Sequence, residues 1–269
     1  MNIPVAPDRL AALVAATRSL REDATVTDSP VTQLNIRGYG RTAQLIGPVA
    51  ALDTIVDKLP PSLRPTTQGA SVDARLTLEP DAHELAADVL LGELELWFAG
   101  HARRRVFVHA AAVTVRGRAI VLPGRTRSGK TSLAAALVRL GATYYSDEYA
   151  VLDAHGLVRP YARPLAIRSP DRWISARVAV DDRSKVPRGP CPVGLVALLS
   201  YQEDARFAPS RLSPADGVLG LIDNAVAAQS RPRAVLTACA AVMDTATAVR
   251  GERGDADETA NALLAEVAW

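Results

Sequence analysis

The chain has 269 residues, of which 48% are hydrophobic and 22% charged, a globular composition with enough mass for one large domain or two small ones. Its 31 Lys and Arg against 29 Asp and Glu give a net charge of +2, which argues against a protein that holds nucleic acid on a large basic surface. No apolar run approaches the length of a membrane span, and Cys191 and Cys239 stand far apart in no metal-ligand spacing. The expected setting is therefore a reducing cytoplasm, with neither nucleic acid nor membrane as a partner. The first residues lack a basic region and carry charges throughout, unlike a secretory signal. Aromatic residues make up only 4%, so the core must be built mainly from Ala, Val and Leu.

Taken in chain order, Asp8 to Arg21 places Leu10, Leu13, Val14 and Leu20 at the spacing of a short amphipathic helix. Val31 to Gly47 changes to short β-like runs broken by Gly38 and Gly40, and Leu59 to Pro65 is a stiff proline-rich connector. A further β-like run covers Ser71 to Leu78. Glu84 to His101 reads as a substantial helix with an apolar face of Leu85, Val89, Leu90, Leu94 and Trp97. Arg103-Arg104-Arg105, the densest basic run, reads as the solvated end of that helix, where cations suit the dipole; a phosphate or peptide contact is the alternative. Residues 1–100 form an expected small α+β N-terminal region, with residues 101–269 as the catalytic unit.

Val106 to Val113 and Ala119 to Leu122 read as paired strands joined by a turn at Arg116-Gly117-Arg118. Ser132 to Leu140 reads as a helix stopped at Gly141. Thr143 to Ser146 is a strand leading into Asp147-Glu148. Tyr149 to Leu152 and Leu157 to Tyr161 form a hairpin turning at Asp153 to Gly156. The Arg- and Asp-rich stretch from Val180 to Pro190 reads as a mobile surface loop. Val193 to Tyr201 is an apolar strand, and Pro214 to Val226 and Glu258 to Trp269 read as helices.

One segment carries chemistry outright. Gly124-Arg125-Thr126-Arg127-Ser128-Gly129-Lys130-Thr131 fits G-x-x-x-x-G-K-[ST], and it lies between a buried strand and a helix, the context that separates a real phosphate loop from a chance match. Gly124 and Gly129 let backbone N–H groups turn toward a phosphate chain, and the helix N-terminus adds the positive end of its dipole. Lys130 reaches the terminal phosphates, and the Thr131 hydroxyl is placed to ligate Mg²⁺. The cradle runs on into Ser132.

Such a loop needs a carboxylate for the metal ion, and Asp147 and Glu148 end the strand that follows the loop helix. Adjacent residues on an extended strand point to opposite faces, so one carboxylate would face the phosphates and a bend would let both reach. Two carboxylates near a γ-phosphate suit a kinase, one holding Mg²⁺ and the other accepting a proton from the attacking hydroxyl. A solvated acidic turn is the bland alternative. His109, between Val108 and Ala110, is either a satisfied interior histidine or a catalytic group. Arg125 and Arg127 are contacts to phosphate or to an anionic acceptor, or simply exposed loop arginines. Arg163 and Arg168 are candidates for transition-state charge.

With these residues in place, His109 through Glu148 resembles the catalytic domain of the HPr kinase/phosphorylase family and its smaller relatives. The resemblance rests on Val108-His109-Ala110, Gly124 to Thr131, Leu140-Gly141 and Ser146-Asp147-Glu148, at the family's spacing. It implies a phosphoenolpyruvate-carboxykinase-like P-loop fold, α/β with a mixed sheet. It also implies roles: Lys130 for phosphate, Thr131 as the metal-ligand hydroxyl, Asp147 as the first, catalytic acidic residue, Glu148 as the second, and His109 as the active-site histidine. The loop reads Arg-Thr-Arg-Ser where the family carries small and acidic residues, and no counterpart of the family's C-terminal segment follows Pro190. Shorter relatives of this kind look like peptide or small-molecule hydroxyl kinases, including ones that act on lasso peptides.

The expected activity is thus an ATP-dependent, Mg²⁺-requiring kinase acting on a serine-type hydroxyl of a peptide, protein or small molecule. A non-kinase P-loop ATPase or a nucleotide-dependent regulatory protein is the alternative, although Leu212 to Gly217 is only a chance echo of a transporter signature. GTP or pyrophosphate as donor, phosphorylase activity and a homo-oligomeric state stay open.

Overall fold

Hairpin turns begin the architecture. In the computed structural model, which describes residues 30–67, 71–79, 84–124, 128–161, 165–169, 172–178 and 189–266, β1 (Val31–Gly38) and β2 (Arg41–Pro48) pair antiparallel with Gly38 opposite Arg41. The two-residue loop between them has positive φ at both Tyr39 and Gly40, the backbone that matches the twist of a hairpin. Helix α1 (Val49–Lys58), β3 (Arg64–Thr66) and β4 (Ala74–Thr77) follow. They complete a four-stranded sheet of order β3-β1-β2-β4, mixed because β4 runs parallel to β2.

Helix α2 (Glu84–His101) lies against this sheet. Leu90, Leu94 and Phe98 recur at helical spacing and share one core with Ile36, Leu45, Leu52 and Ile55. The basic run follows the helix rather than ending it: Arg103 and Arg104 are exposed in the turn beyond His101. Phe107 joins the small sheet to the large one, its ring meeting Tyr39 at 5.0 Å, Tyr149 at 5.5 Å and Tyr161 at 5.6 Å. Four aromatic residues, Tyr39, Phe107, Tyr149 and Tyr161, meet at this junction, where edge-to-face pairs add to area burial.

The large sheet has eight strands in the order β13-β14-β12-β6-β5-β8-β9, with β7 also pairing β5. Its strands are β5 (Val106–Val115), β6 (Arg118–Pro123), β7 (Thr143–Ser146), β8 (Tyr149–Leu152), β9 (Leu157–Arg159), β12 (Cys191–Tyr201), β13 (Ser210–Arg211) and β14 (Thr247–Arg253). β6, β12 and β14 are parallel neighbours, while β5, β7, β8 and β9 run as antiparallel pairs. A separate hairpin, β10 (Leu165–Ser169) with β11 (Arg172–Val178), stands between β9 and β12 in the chain. This is a mixed α/β architecture.

Alternation along the strands sorts side chains to two faces. Val108, Ala110, Ala112, Val121, Val196 and Ala248 face one way, against α4 (Pro214–Ile222) and α5 (Pro232–Met243). Ala111, Val113, Ile120, Leu122, Ala197 and Val249 face the other, against α3 (Lys130–Arg139) and α6 (Ala256–Glu266). Ser213 caps α4 by accepting the Asp216 amide at 3.1 Å, with Pro214 in the first turn, so the Leu212–Gly217 echo is a helix start.

Several expectations shift. α1, α5 and β14 are additional to those read from sequence, and α4 stops at Ile222, with Asp223 as its C-cap, short of Val226. α6 begins at Ala256, two residues earlier than expected. The expected helix at Asp8–Arg21 lies outside the described residues, as does the stretch from Val180 to Arg188. Both cysteines are buried and free. No helix among the described residues is long and apolar enough to cross a membrane.

Candidate phosphate-binding site

The loop leaves β6 at Gly124 and enters α3 at Lys130. Gly129 is the N-cap of that helix, at φ 75° and ψ 16°, left-handed backbone that suits glycine. Gly124 is anchored by its amide, which donates to the His109 carbonyl at 3.1 Å. Lys130 Nζ crosses the neck of the loop to donate to the Gly124 carbonyl at 2.7 Å, with Ser128 Oγ at 3.4 Å. Burial pulls the Lys130 ammonium below its usual range, while Glu148 and Asp147 oppose that shift. Both carboxylates therefore act on this lysine.

They do so because the chain bends after β7. Ser146, 1% exposed, accepts the amides of Glu148 at 3.2 Å and Tyr149 at 3.1 Å, a side-chain turn that stops the strand and turns the acidic pair. Asp147 is itself buried. Tyr144 donates its hydroxyl to Asp147 Oδ1 at 2.7 Å, and Thr131 faces Oδ2 at 3.4 Å. Glu148 is half-buried beside His109.

His109 sits on β5 with its ring 4.8 Å from that of Tyr149. Burial lowers the His109 pKa, Glu148 raises it and Lys130 lowers it again, for a net downward shift. A lowered value favours the neutral imidazole at neutral pH. Its backbone amide donates to the Asn224 carbonyl at 2.8 Å, which fixes the end of α4 beside the loop.

The structure thus brings Gly124, Ser128, Gly129, Lys130, Thr131, His109, Asp147 and Glu148 to one end of the parallel strands. Ser132 is exposed on the first turn of α3. Arg125, Thr126, Arg127 and Arg163 lie outside the described residues, and Arg168 falls on β10. Sequence reading missed three participants. Tyr144 and Ser146 stood in the polar approach to Asp147, and Tyr144 lies three residues before the carboxylate that it meets. Arg253 gave no local signal; it ends β14 and is 3% exposed.

A groove of about 270 Å³ opens beside the loop, lined by Pro123, Leu198, Ser200, Asp223, Asn224 and Arg250 among others. Its position follows from topology. β6 sends its connection to α3 on one face, whereas β12, its parallel neighbour, leads through β13 to α4 on the other. Adjacent strands whose connections part in this way leave a crevice at their carboxyl ends, the usual ligand site of open α/β sheets.

No protein-family model matches the sequence, and no curated protein matches it. Among solved structures, the chain is similar to the HPr(Ser) kinase/phosphatase from Coxiella burnetii, with a TM-score of 0.34 and 14% identity over 60% of this chain and 97% of that one. A likeness this slight identifies neither family nor activity.

Proposed function

We propose that the chain is an ATP-dependent kinase of the phosphoenolpyruvate-carboxykinase-like P-loop type that phosphorylates a serine-type hydroxyl of a peptide, protein or small molecule. The observation that carries this reading is the meeting of Thr131 and Asp147, at 3.4 Å, at the start of a helix whose first residue is Lys130. That is the juxtaposition of hydroxyl, carboxylate and ammonium that phosphoryl transfer needs. Glu148 acts on the same lysine and on His109, which adds the second carboxylate.

The residues suit Mg²⁺, because a hydroxyl and carboxylates are hard oxygen donors. Thr131 and Glu148 would hold it, which leaves the Asp147 oxygen that faces Thr131 as the base. When bound, the ion offsets charge on the phosphate oxygens. Loop amides and Lys130 orient the phosphates, and the acceptor hydroxyl enters from the groove at Pro123 and Asn224. Its oxygen forms the new bond to the γ-phosphorus as the bond to the bridging oxygen breaks, Asp147 takes the hydroxyl proton, and ADP departs.

Binding and transfer separate the roles. Asp147→Asn should bind ATP and transfer nothing, whereas Lys130→Ala should lose both. Unchanged ATP affinity in Lys130→Ala would remove the loop assignment, and retained transfer in Asp147→Asn would remove Asp147 as base.

A further inference from the structure

Arg253 sits beneath the loop with its charge almost wholly out of water. Nη2 donates to the Gly129 carbonyl at 2.9 Å and to that of Ser128 at 3.4 Å, and Nη1 donates to the Gly254 carbonyl at 3.0 Å. The Tyr201 ring centroid lies 5.3 Å from Cζ. Among the described residues, the acceptors it reaches are carbonyl oxygens, and none of the ion pairs includes it.

Two physical consequences meet here. A trans peptide holds its N–H opposite to its C=O, and no peptide bond in the described chain is cis. Gripping the Ser128 and Gly129 oxygens therefore aims the Gly129 and Lys130 amides away from the guanidinium. The Gly129 oxygen also accepts the Leu133 amide at 3.1 Å, the first bond of α3, so the grip extends to the helix start. A Cβ at Gly129 would fall on the guanidinium, which makes glycine necessary for this contact as well as for its backbone conformation.

The second consequence is electrostatic. A buried guanidinium without a carboxylate partner is costly. Its acceptors are neutral carbonyls, and Tyr201 and the exposed Asp255 favour its charge without an ion pair to it. An anion across the two peptide planes would compensate that charge in a low-dielectric setting, where charges act strongly.

We propose that Arg253 is a positioning residue of the phosphate loop, aiming the Gly129 and Lys130 amides at a polyphosphate whose charge compensates its own. This rests on the phosphate-loop reading above. The test compares wild type with Arg253→Met and Arg253→Lys, measuring the ligand-free unfolding midpoint and the affinity for Mg·ATP and for inorganic tripolyphosphate. Arg253→Met should keep the midpoint of wild type or exceed it, because an apolar side chain removes a buried charge. Both ligands should nonetheless bind about ten- to a hundredfold more weakly, and Arg253→Lys should recover part of that loss.

Wild-type affinity in Arg253→Met would overturn the inference while leaving the loop reading intact. Should Arg253→Met not fold, Arg253→Lys decides: folded with weakened binding supports the inference, and folded with wild-type binding overturns it. If neither variant folds, the guanidinium is a structural pin and the inference is overturned. A wild-type protein that binds neither ligand would remove the loop reading and this inference with it.

Discussion

Tyr144 and Asp147 form a buried hydrogen bond of 2.7 Å, phenol to Oδ1, that sets the carboxylate with its other oxygen toward Thr131. A charge-assisted bond of this kind orients its acceptor as well as stabilising it. Tyr144→Phe removes the donor and keeps the ring. We expect turnover to fall about tenfold, stability to drop by about 1–3 kcal/mol and ATP affinity to stay near that of wild type. Unchanged turnover in a folded Tyr144→Phe variant would show that the bond does not set Asp147 for the proposed transfer.

Gly129 and Arg253 should be energetically coupled. Gly129→Ala places a Cβ in left-handed backbone, at about 1–2 kcal/mol, and drives it onto the guanidinium. Combining it with Arg253→Met removes the second conflict but not the first. The double variant should therefore recover stability relative to the sum of the single ones, by about 0.5–3 kcal/mol. Denaturant unfolding of the four proteins measures this, and strict additivity would show that the two side chains do not compete for space.

The lowered pKa of His109 has a definite sign. In the unfolded chain the imidazole takes its proton near pH 6.5, while the folded protein resists protonation until a lower pH. Between those values the unfolded state binds more protons, so stability falls as pH drops below about 6.5 and levels once the folded imidazole is charged. His109→Gln lacks this term. Wild-type stability relative to that variant should decline as pH goes from about 7 to 5, and a relative gain over that range would contradict the burial argument.

On the kinase reading proposed above, the acceptor meets the groove rather than the loop. Arg250 and Asp223 are exposed on its lining, beside Pro123 but on the face opposite α3. Arg250→Ala and Asp223→Ala should raise the KM for the acceptor severalfold while leaving ATP affinity and stability near wild type. Steady-state kinetics with each substrate varied in turn distinguish this from a general loss. A change confined to the KM for ATP would place the acceptor elsewhere.

How far the sequence led depends on how local each signal is. The strand and helix that flank Gly124 to Thr131 and the strand into Asp147 were legible because apolar periodicity acts over a few residues. The bend that turns both carboxylates was foreseen as one of two options, and Ser146 decides it through two backbone amides. α5 went unread although Val235, Ala238, Cys239, Val242 and Met243 bury one face at helical spacing, because Leu236 and the alanines opposite blur that stripe in the sequence. α1 offered no start signal, since Pro48 at its N-cap makes no side-chain cap bond and its first turn holds no acidic residue. β14 was hidden by Arg250, Glu252 and Arg253, which interrupt its apolar alternation. The bond from Arg253 to Gly129 spans 124 positions, and no local pattern encodes a contact of that range.

Transfer to a hydroxyl is read from the fate of the γ-phosphate. Wild type and Asp147→Asn would be incubated with Mg²⁺ and γ-labelled ATP, together with serine-containing peptides encoded beside the gene. The kinase reading predicts label on a serine of a peptide with wild type and none with Asp147→Asn. Label released by wild type only as inorganic phosphate, with no peptide modified, would contradict it and favour a P-loop ATPase.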